Sequence, residues 1–386
     1  MAKNIYDYRG LEEYLKSYSS PKSKWKANHN GRTLSEVYEQ IKLNLKQVQD
    51  NVITGAMAEG ITSYIGECKT ELERIGDSNS DDYKETVNRF ISSAKIIFLN
   101  DHGPEHTQKV IERAYLILKK TRIHLSEFET FILLCAIQIH DIGNVLGRAG
   151  HERKLNEIFN TYSKNLILDG PEKRIIKSIA MAHGGKTVDG SKDTISKLCV
   201  TETIFDCKIR VRFLAALVRF ADELADDSTR ANRAALDLGI VGVDSVIYHD
   251  YSTALHTVKI EKDYDNNDHR IELVYELESD ILSKKYKVAG IEKYLLDEIY
   301  DRTLKMEQER RYCMKFMSPC VDIGRIDVKI NIYDADLELL PVISYRLEDL
   351  LYPDSPQIGH IKEVDDAIPS GEEELAYIRK REEIIE

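Results

Sequence analysis

The stretch Phe131–Asp141, FILLCAIQIHD, decides how the rest of the chain is read. Eight of its first nine residues are apolar or small, Gln138 being the exception, and two side chains able to bind a metal follow in succession. A helix that is apolar on nearly every face belongs in the interior. His140 and Asp141, at its end, are therefore expected deep in the molecule. A lone histidine there would more often be a satisfied core residue than a ligand. The adjacent Asp141 changes the balance, because a buried carboxylate requires a cation or several hydrogen-bond donors.

Outward from that pair, further ligand-type residues open or close other apolar stretches. His106 lies in DHGPEHTQKV, at the start of a helical pattern that runs to about Lys120. Pro104 suits its first turn, and His106, Val110, Ala114 and Ile117 share one face. His151 follows across the loop DIGNVLGRAGH. His183 closes the pattern Ile175, Ile176, Ile179, Ala180, Met181 and precedes Gly184-Gly185, a helix stop. Asp222 sits in RFADELADD, near the end of a helix predicted to begin near Asp206.

In this order and setting the residues resemble the HD-domain superfamily of metal-dependent phosphohydrolases, over roughly residues 95–235. An HD dipeptide alone carries no signal; the ordered set, with HDIG at a buried helix end and an Asp in an R-x-x-DEL context, carries the resemblance. The strings NDHGPEH and RFADELADDSTR are similar to the HD domains of prokaryotic conflict and defence proteins. The resemblance implies that His106, His140, Asp141 and Asp222 hold a first metal. It also implies that Asp141 bridges to a second, with His151 and His183 as further ligands, and that Asp141 and His183 are the catalytic positions. His151 follows the HD pair sooner than the third histidine does in cyclic-dinucleotide phosphodiesterases, and their GYP signature is absent. Imidazole and carboxylate together suit a divalent transition metal, one or two ions of Mn, Fe, Ni, Co or Zn, with Mg also admissible.

The 386 residues fit two or three domains. With 31% charged and 42% hydrophobic residues the chain reads as globular, mainly α, with a helical HD-type bundle and a smaller C-terminal α+β module. Its formal charge of −12 disfavours binding to bulk duplex, where phosphate contacts dominate affinity. No apolar run is long enough to span a bilayer, and the N-terminus lacks the apolar core of a signal peptide. Six scattered cysteines (68, 135, 199, 207, 313 and 320) show no zinc-type pairing and are expected reduced and buried, pointing to the cytoplasm.

Residues 1–95 are predicted as a helical lead-in, 96–240 as the HD core, 245–350 as an accessory module and 351–386 as a charged tail. In the lead-in, Lys22, Lys24, Trp25, Lys26 and His29 could contact a nucleotide or be a surface turn with one packed tryptophan. Thr33-Leu34-Ser35-Glu36 has the pattern of a capping box, as do Ser126 and Glu129 before the central helix. Helical spacing recurs at Ile61, Ile65, Cys68 and Leu72, and a short helix is predicted over residues 83–98. Arg148, Lys186 and Arg230 are candidate substrate-binding cations, each also readable as a solvated surface charge. Arg219, four residues before Glu223, is predicted to form a helical ion pair with it.

After Leu238 the pattern alternates: His256-Thr-Val-Lys-Ile-Glu, Arg270-Ile-Glu-Leu-Val-Tyr-Glu and Arg325-Ile-Asp-Val-Lys-Ile-Asn-Ile predict strands, with a helix over residues 291–314 before the last. This gives an antiparallel β-β-α-β module, with the Arg325–Ile332 strand expected at an edge. Tyr248, His249, Tyr251, His256 and His269 are expected to be structural or surface residues. The module would regulate, select substrate or mediate homo-oligomers; the tail is expected to be a linker followed by an exposed or partner-binding helix.

The leading function is a phosphohydrolase acting on a nucleotide or nucleotide-derived signal, by metal-activated water and without a protein nucleophile. A single-strand nuclease, a di-iron oxygenase and a ligand-sensing module are the alternatives. P-loop and Rossmann fingerprints are missing, so ATP-driven and hydride chemistry are not expected.

Overall fold

The computed structural model describes residues 5–18, 23–46, 74, 104–143, 154–156, 159, 168–187, 189–226, 246–264, 268–288, 290–348 and 359–385. The periodicities at 61–72 and 83–98, Cys68, Arg148, His151 and Arg230 lie outside the described residues.

Helices α1 (Leu11–Lys16), α2 (Ser23–Asn28) and α3 (residues 34–46) lead into the core. The box before α3 is formed: Glu36 N–H donates to Thr33 Oγ1 at 3.2 Å and Thr33 N–H to Glu36 Oε2 at 2.7 Å. The core comprises α4 (Pro104–Thr121), α5 (Glu127–Ile139), α6 (Gly170–Met181) and α7 (Val211–Glu223). The central place belongs to α5, which touches α1, α4, α6 and α7 and has every residue from Phe131 to Ile137 buried. Its own capping box, Ser126 with Glu129, fixes where it starts, and Arg210 clamps the same Glu129 at 2.7 Å. A strict register follows, and it delivers His140 at the C-cap.

The helix predicted from Asp206 starts later, at Val211. Residues before it form a hairpin, β1 (Glu202–Ile204) with β2 (Cys207–Ile209). Phe205 and Asp206 both take positive φ, at 50° and 63°, which a two-residue hairpin turn demands and a helix forbids.

The C-terminal module contains α8 (Val246–Ala254), β3 (Leu255–Lys262), β4 (His269–Glu278), α9 (Ser279–Leu282), β5 (Lys285–Val288), β6 (Ile291–Tyr294), α10 (Leu295–Met317), β7 (Ile323–Tyr333) and β8 (Ile343–Glu348). The main sheet has the order β3-β4-β7-β8. Two expectations are corrected here. The sheet is mixed rather than antiparallel, because β4 and β7 run parallel and α10 serves in the long connection that parallel neighbours require. The Arg325–Ile332 strand is central rather than at an edge: β7 pairs with β4 on one side and β8 on the other. The core is continuous from α1 through β8, with α10 packed on both α7 and β7.

The final helix, α11 (Gly371–Ile385), is not wholly exposed as expected. Leu375 and Ile378 are buried, and Gly371 N–H donates to Asp297 Oδ1 at 2.9 Å. The cysteines expected to be buried divide: Cys135 and Cys313 are buried, Cys199 and Cys320 exposed, and none of these is in a disulfide. Among the described residues no helix is long and apolar enough to cross a membrane.

Candidate metal centre and the pocket beside it

Four of the predicted ligands converge from three helices. His106 stands in the first turn of α4, His140 and Asp141 at the end of α5, and Asp222 near the end of α7. One donor atom from each lies within 4.8 Å of the others. His106 Nε2 is 3.0 Å from Asp222 Oδ1 and 3.5 Å from Asp141 Oδ2. His140 Nε2 lies 3.5 Å from Asp141 Oδ2 and 3.6 Å from Asp222 Oδ1.

The tautomer of His140 is set by its own helix. Nδ1 lies 2.7 Å from the Ile137 carbonyl and must donate, which leaves Nε2 as the ring atom turned to the carboxylates. His183 is built the same way at the end of α6, with Nδ1 2.6 Å from the Ala180 carbonyl and Nε2 3.6 Å from Asp141 Oδ1. The two oxygens of Asp141 therefore face different partners: Oδ2 faces His106 and His140, and Oδ1 faces His183. After His183 the chain turns through Gly185, whose φ of +74° a side chain would oppose.

The electrostatics are those of a cation site. Burial drives the His140 imidazole toward its neutral form, but Asp141 and Asp222 outweigh this and hold its pKa up, to about 9. Burial would raise the Asp222 carboxyl, yet the bond to His106 and the charges of His106 and His140 hold it well below the ordinary carboxylate range. His140 Nε2 is fully buried and has no hydrogen-bond partner. Buried nitrogens are rarely left so. A divalent ion satisfies that atom and the paired carboxylates together, so the donor set fits a metal.

Beside the cluster lies a cavity of about 590 Å³, into which Asp141, His183 and Asp222 open. Lys186 is on its wall. Its far side is α10, from the C-terminal module, which meets α7 in an antiparallel ladder of charges. Arg219 is paired with Glu309 through two bonds of 2.6 and 2.7 Å, Glu223 with Lys305 at 2.8 Å, and Asp226 with Arg302. Each step of four or three residues along the α7 segment is matched by an equal step back along α10. The predicted Arg219–Glu223 pair is thus corrected: both side chains reach across to α10, where a guanidinium finds a carboxylate in fork geometry. Arg219 also donates to Thr194 Oγ1 at 3.0 Å, holding the loop that carries Lys186 and Lys192.

A family model described as HD-CE matches residues 96–305, more than half of the chain. The chain belongs to the HD-CE family. The HD-CE match takes in the four clustered residues, His183, and α10 as far as Lys305, so the pocket's far wall falls partly within it. No curated protein matches the chain. With this family and this cluster, the chain fits a metal-dependent HD-type hydrolase.

Sequence reasoning did not single out Lys192 or the α10 residues of the cavity, and it took Tyr248, which also lines it, for a structural or surface residue. The ladder had a signal: Arg219, Glu223 and Asp226 run +, −, − at steps of four and three, and Arg302, Lys305 and Glu309 run +, +, − in the complementary order. The basic–aromatic cluster of the lead-in resolves toward packing. Trp25 is buried, stacked on His29 at 4.0 Å, and donates its indole N–H to Glu172 at 2.5 Å.

Proposed function

We propose that this chain is a phosphohydrolase that cleaves a phosphoester of a nucleotide or nucleotide-derived signal. The observation that carries the reading is the buried His140 Nε2, without a hydrogen bond, among three other ligand atoms, in a cluster whose Asp141 and Asp222 open into a cavity with lysines on its wall. His106, His140, Asp141 and Asp222 would hold one divalent ion. The separate orientation of Asp141 Oδ1 toward His183 supports a second site there, with His151 as a further ligand. Such ions supply a water of lowered pKa and positive charge against phosphoryl oxygens.

The chain's own groups do the rest. The Ile137 and Ala180 carbonyls keep His140 and His183 in the ligand tautomer. Of the cavity's cations, Arg219, Arg302 and Lys305 are engaged in the ladder. Lys186 and Lys192 have no acidic partner among the described residues, and they grip the substrate's phosphate oxygens. Arg148 and Arg230 are proposed as further phosphate-binding cations. The NDHGPEH and RFADELADDSTR strings support a place among defence proteins.

Metal analysis of the purified chain, followed by a phosphate-release screen over nucleotides, cyclic dinucleotides and single-stranded oligonucleotides, tests the reading. Phosphate release that depends on added Mn and is lost in Asp141→Ala supports it. Iron-dependent oxygen consumption without phosphate release would replace it with the oxygenase. Cleavage of oligonucleotides alone would replace it with the nuclease.

A further inference from the structure

The cavity has an aromatic side that the metal chemistry does not use. Tyr248, on α8, lines it together with Arg302 of α10. The Arg302 guanidinium lies 4.8 Å from the Tyr248 ring centre and 4.7 Å from that of Tyr251. It is locked there by Asp226 and by Glu298 at 2.8 Å. The Tyr248 ring therefore rests on an immobile, planar cation.

Tyr248 differs from its neighbours in how its hydroxyl is used. A tyrosine that serves the core buries its ring and bonds its hydroxyl. Tyr251 and Tyr275 bond each other at 3.0 Å, Tyr345 bonds Thr303 at 2.8 Å, Tyr286 donates to Asp250 at 2.7 Å, and Tyr300 to the Pro369 carbonyl at 2.8 Å. Tyr248 is only half-buried, and its hydroxyl has no partner among the described residues. It contributes a face rather than a hydrogen bond.

The ladder gives that face an address. Lys305 opposes Glu223, the residue after Asp222, so this rung marks the level of the metal cluster. Arg302, three residues back along α10, places Tyr248 about 4.5 Å further along the helix axis. Glu309, four residues the other way, holds Arg219 and through it the Lys192–Thr194 loop, about 6 Å from the cluster's level in the opposite direction. Along α10 the Tyr248 face and the loop of Lys192 thus lie on opposite sides of the cluster's level, and all of them line one cavity.

We propose that Tyr248 is a specificity-determining residue, the platform on which the base of a nucleoside 5′-phosphate stacks while its phosphate lies at Asp141, Asp222 and His183. This rests on the phosphohydrolase reading. It places base selection in the C-terminal module and not among the ligand-bearing helices.

The test has a binding arm and a kinetic arm, both on the full-length, metal-loaded chain. In the first, the four common nucleosides and ribose are titrated calorimetrically. Nucleosides bind and ribose does not; Tyr248→Ala weakens the nucleosides about tenfold, the effect of losing one stacked base, and Tyr248→Phe retains them. In the second, Tyr248→Ala raises KM for nucleoside 5′-monophosphates by about the same factor, with kcat held within about twofold, and leaves KM for ribose 5-phosphate where it was. If Tyr248→Ala melts early, Tyr248→Leu, which fills the volume without a π face, is measured instead. Tyr248-dependent nucleoside binding without any phosphate release keeps the platform and sinks the hydrolase. Phosphate release with equal KM for nucleotides and ribose 5-phosphate, or with a KM indifferent to Tyr248, keeps the hydrolase and overturns the platform.

Discussion

His140 and His29 are both buried beside carboxylates, and in each group the candidate ligand atoms lie within 4.8 Å of one another. Around His29 the polar atoms are all taken. Nδ1 meets the Trp25 carbonyl at 2.8 Å and Nε2 meets Glu172 Oε2 at 2.9 Å, while Trp25 and the Asp169 N–H supply Glu172 with two more bonds. Around His140 one nitrogen is bonded, while the other, equally buried, makes no hydrogen bond and has only the Asp141 and Asp222 carboxylates, 3.5 and 3.6 Å away. Both places set imidazole against two carboxylates at the same proximity. The difference lies in which atoms remain unsatisfied, and that separates a clasp holding α2 on α6 from a site that calls for an ion.

Substitutions break the comparison most strongly at Asp141. In Asp141→Ala, bound metal measured by elemental analysis falls to background and phosphate release stops, since the carboxylate shared by His106, His140 and His183 is gone. Next comes removal of residues 245–386. This strips α10 from α7 and bares the apolar surface they share, so the shortened chain is expected in the insoluble fraction. A soluble truncation retaining metal would show instead that the ligand-bearing helices stand alone.

His29→Ala leaves Glu172 buried without its cation and should cost about 3 kcal/mol in denaturant unfolding, with metal content unchanged. A loss of metal in that variant would erase the distinction between the two groups. His183→Ala is milder: on the two-metal reading, stoichiometry falls from about two ions toward one while the fold persists.

The smallest effect is in pH. Burial disfavours charge on His29, but the bond and charge of Glu172 and the Trp25 carbonyl outweigh this and raise its pKa above the ordinary 6.5. The folded chain therefore holds that proton more tightly than the unfolded one. The clasp contributes fully below pH 6.5 and fades as pH rises through the raised value. Thermal melts across that range should show wild type losing stability relative to His29→Gln, which has no proton to lose.

The metal cluster was legible because burial and chemistry coincide in sequence: FILLCAIQI announces an interior helix, and the HD at its end has no innocent explanation there. The caps at Thr33 and Ser126 were legible because they are local. Arg219 was misread for the same reason, since a rule about residues four apart carries no knowledge of a helix ninety positions away. Alternation in Arg325–Ile332 reports that one side of a strand is buried and is silent on how many strands flank it. Trp25 and His29, four apart on a helix, were a stacking pair in plain view, but their partner Glu172 lies far along the chain.

The connection of α10 between β4 and β7 has a consequence for the order in which the protein is made. All four clustered ligands have been synthesised by Asp222, whereas α10 has its flanking strands only once β7, ending at Tyr333, has followed it. During the interval the nascent chain carries a complete ligand set on one side and the uncovered face of α7 on the other. Docking of a single late segment ends both exposures, so the step that shields the growing chain from aggregation is also the step that closes the cavity beside the four clustered residues.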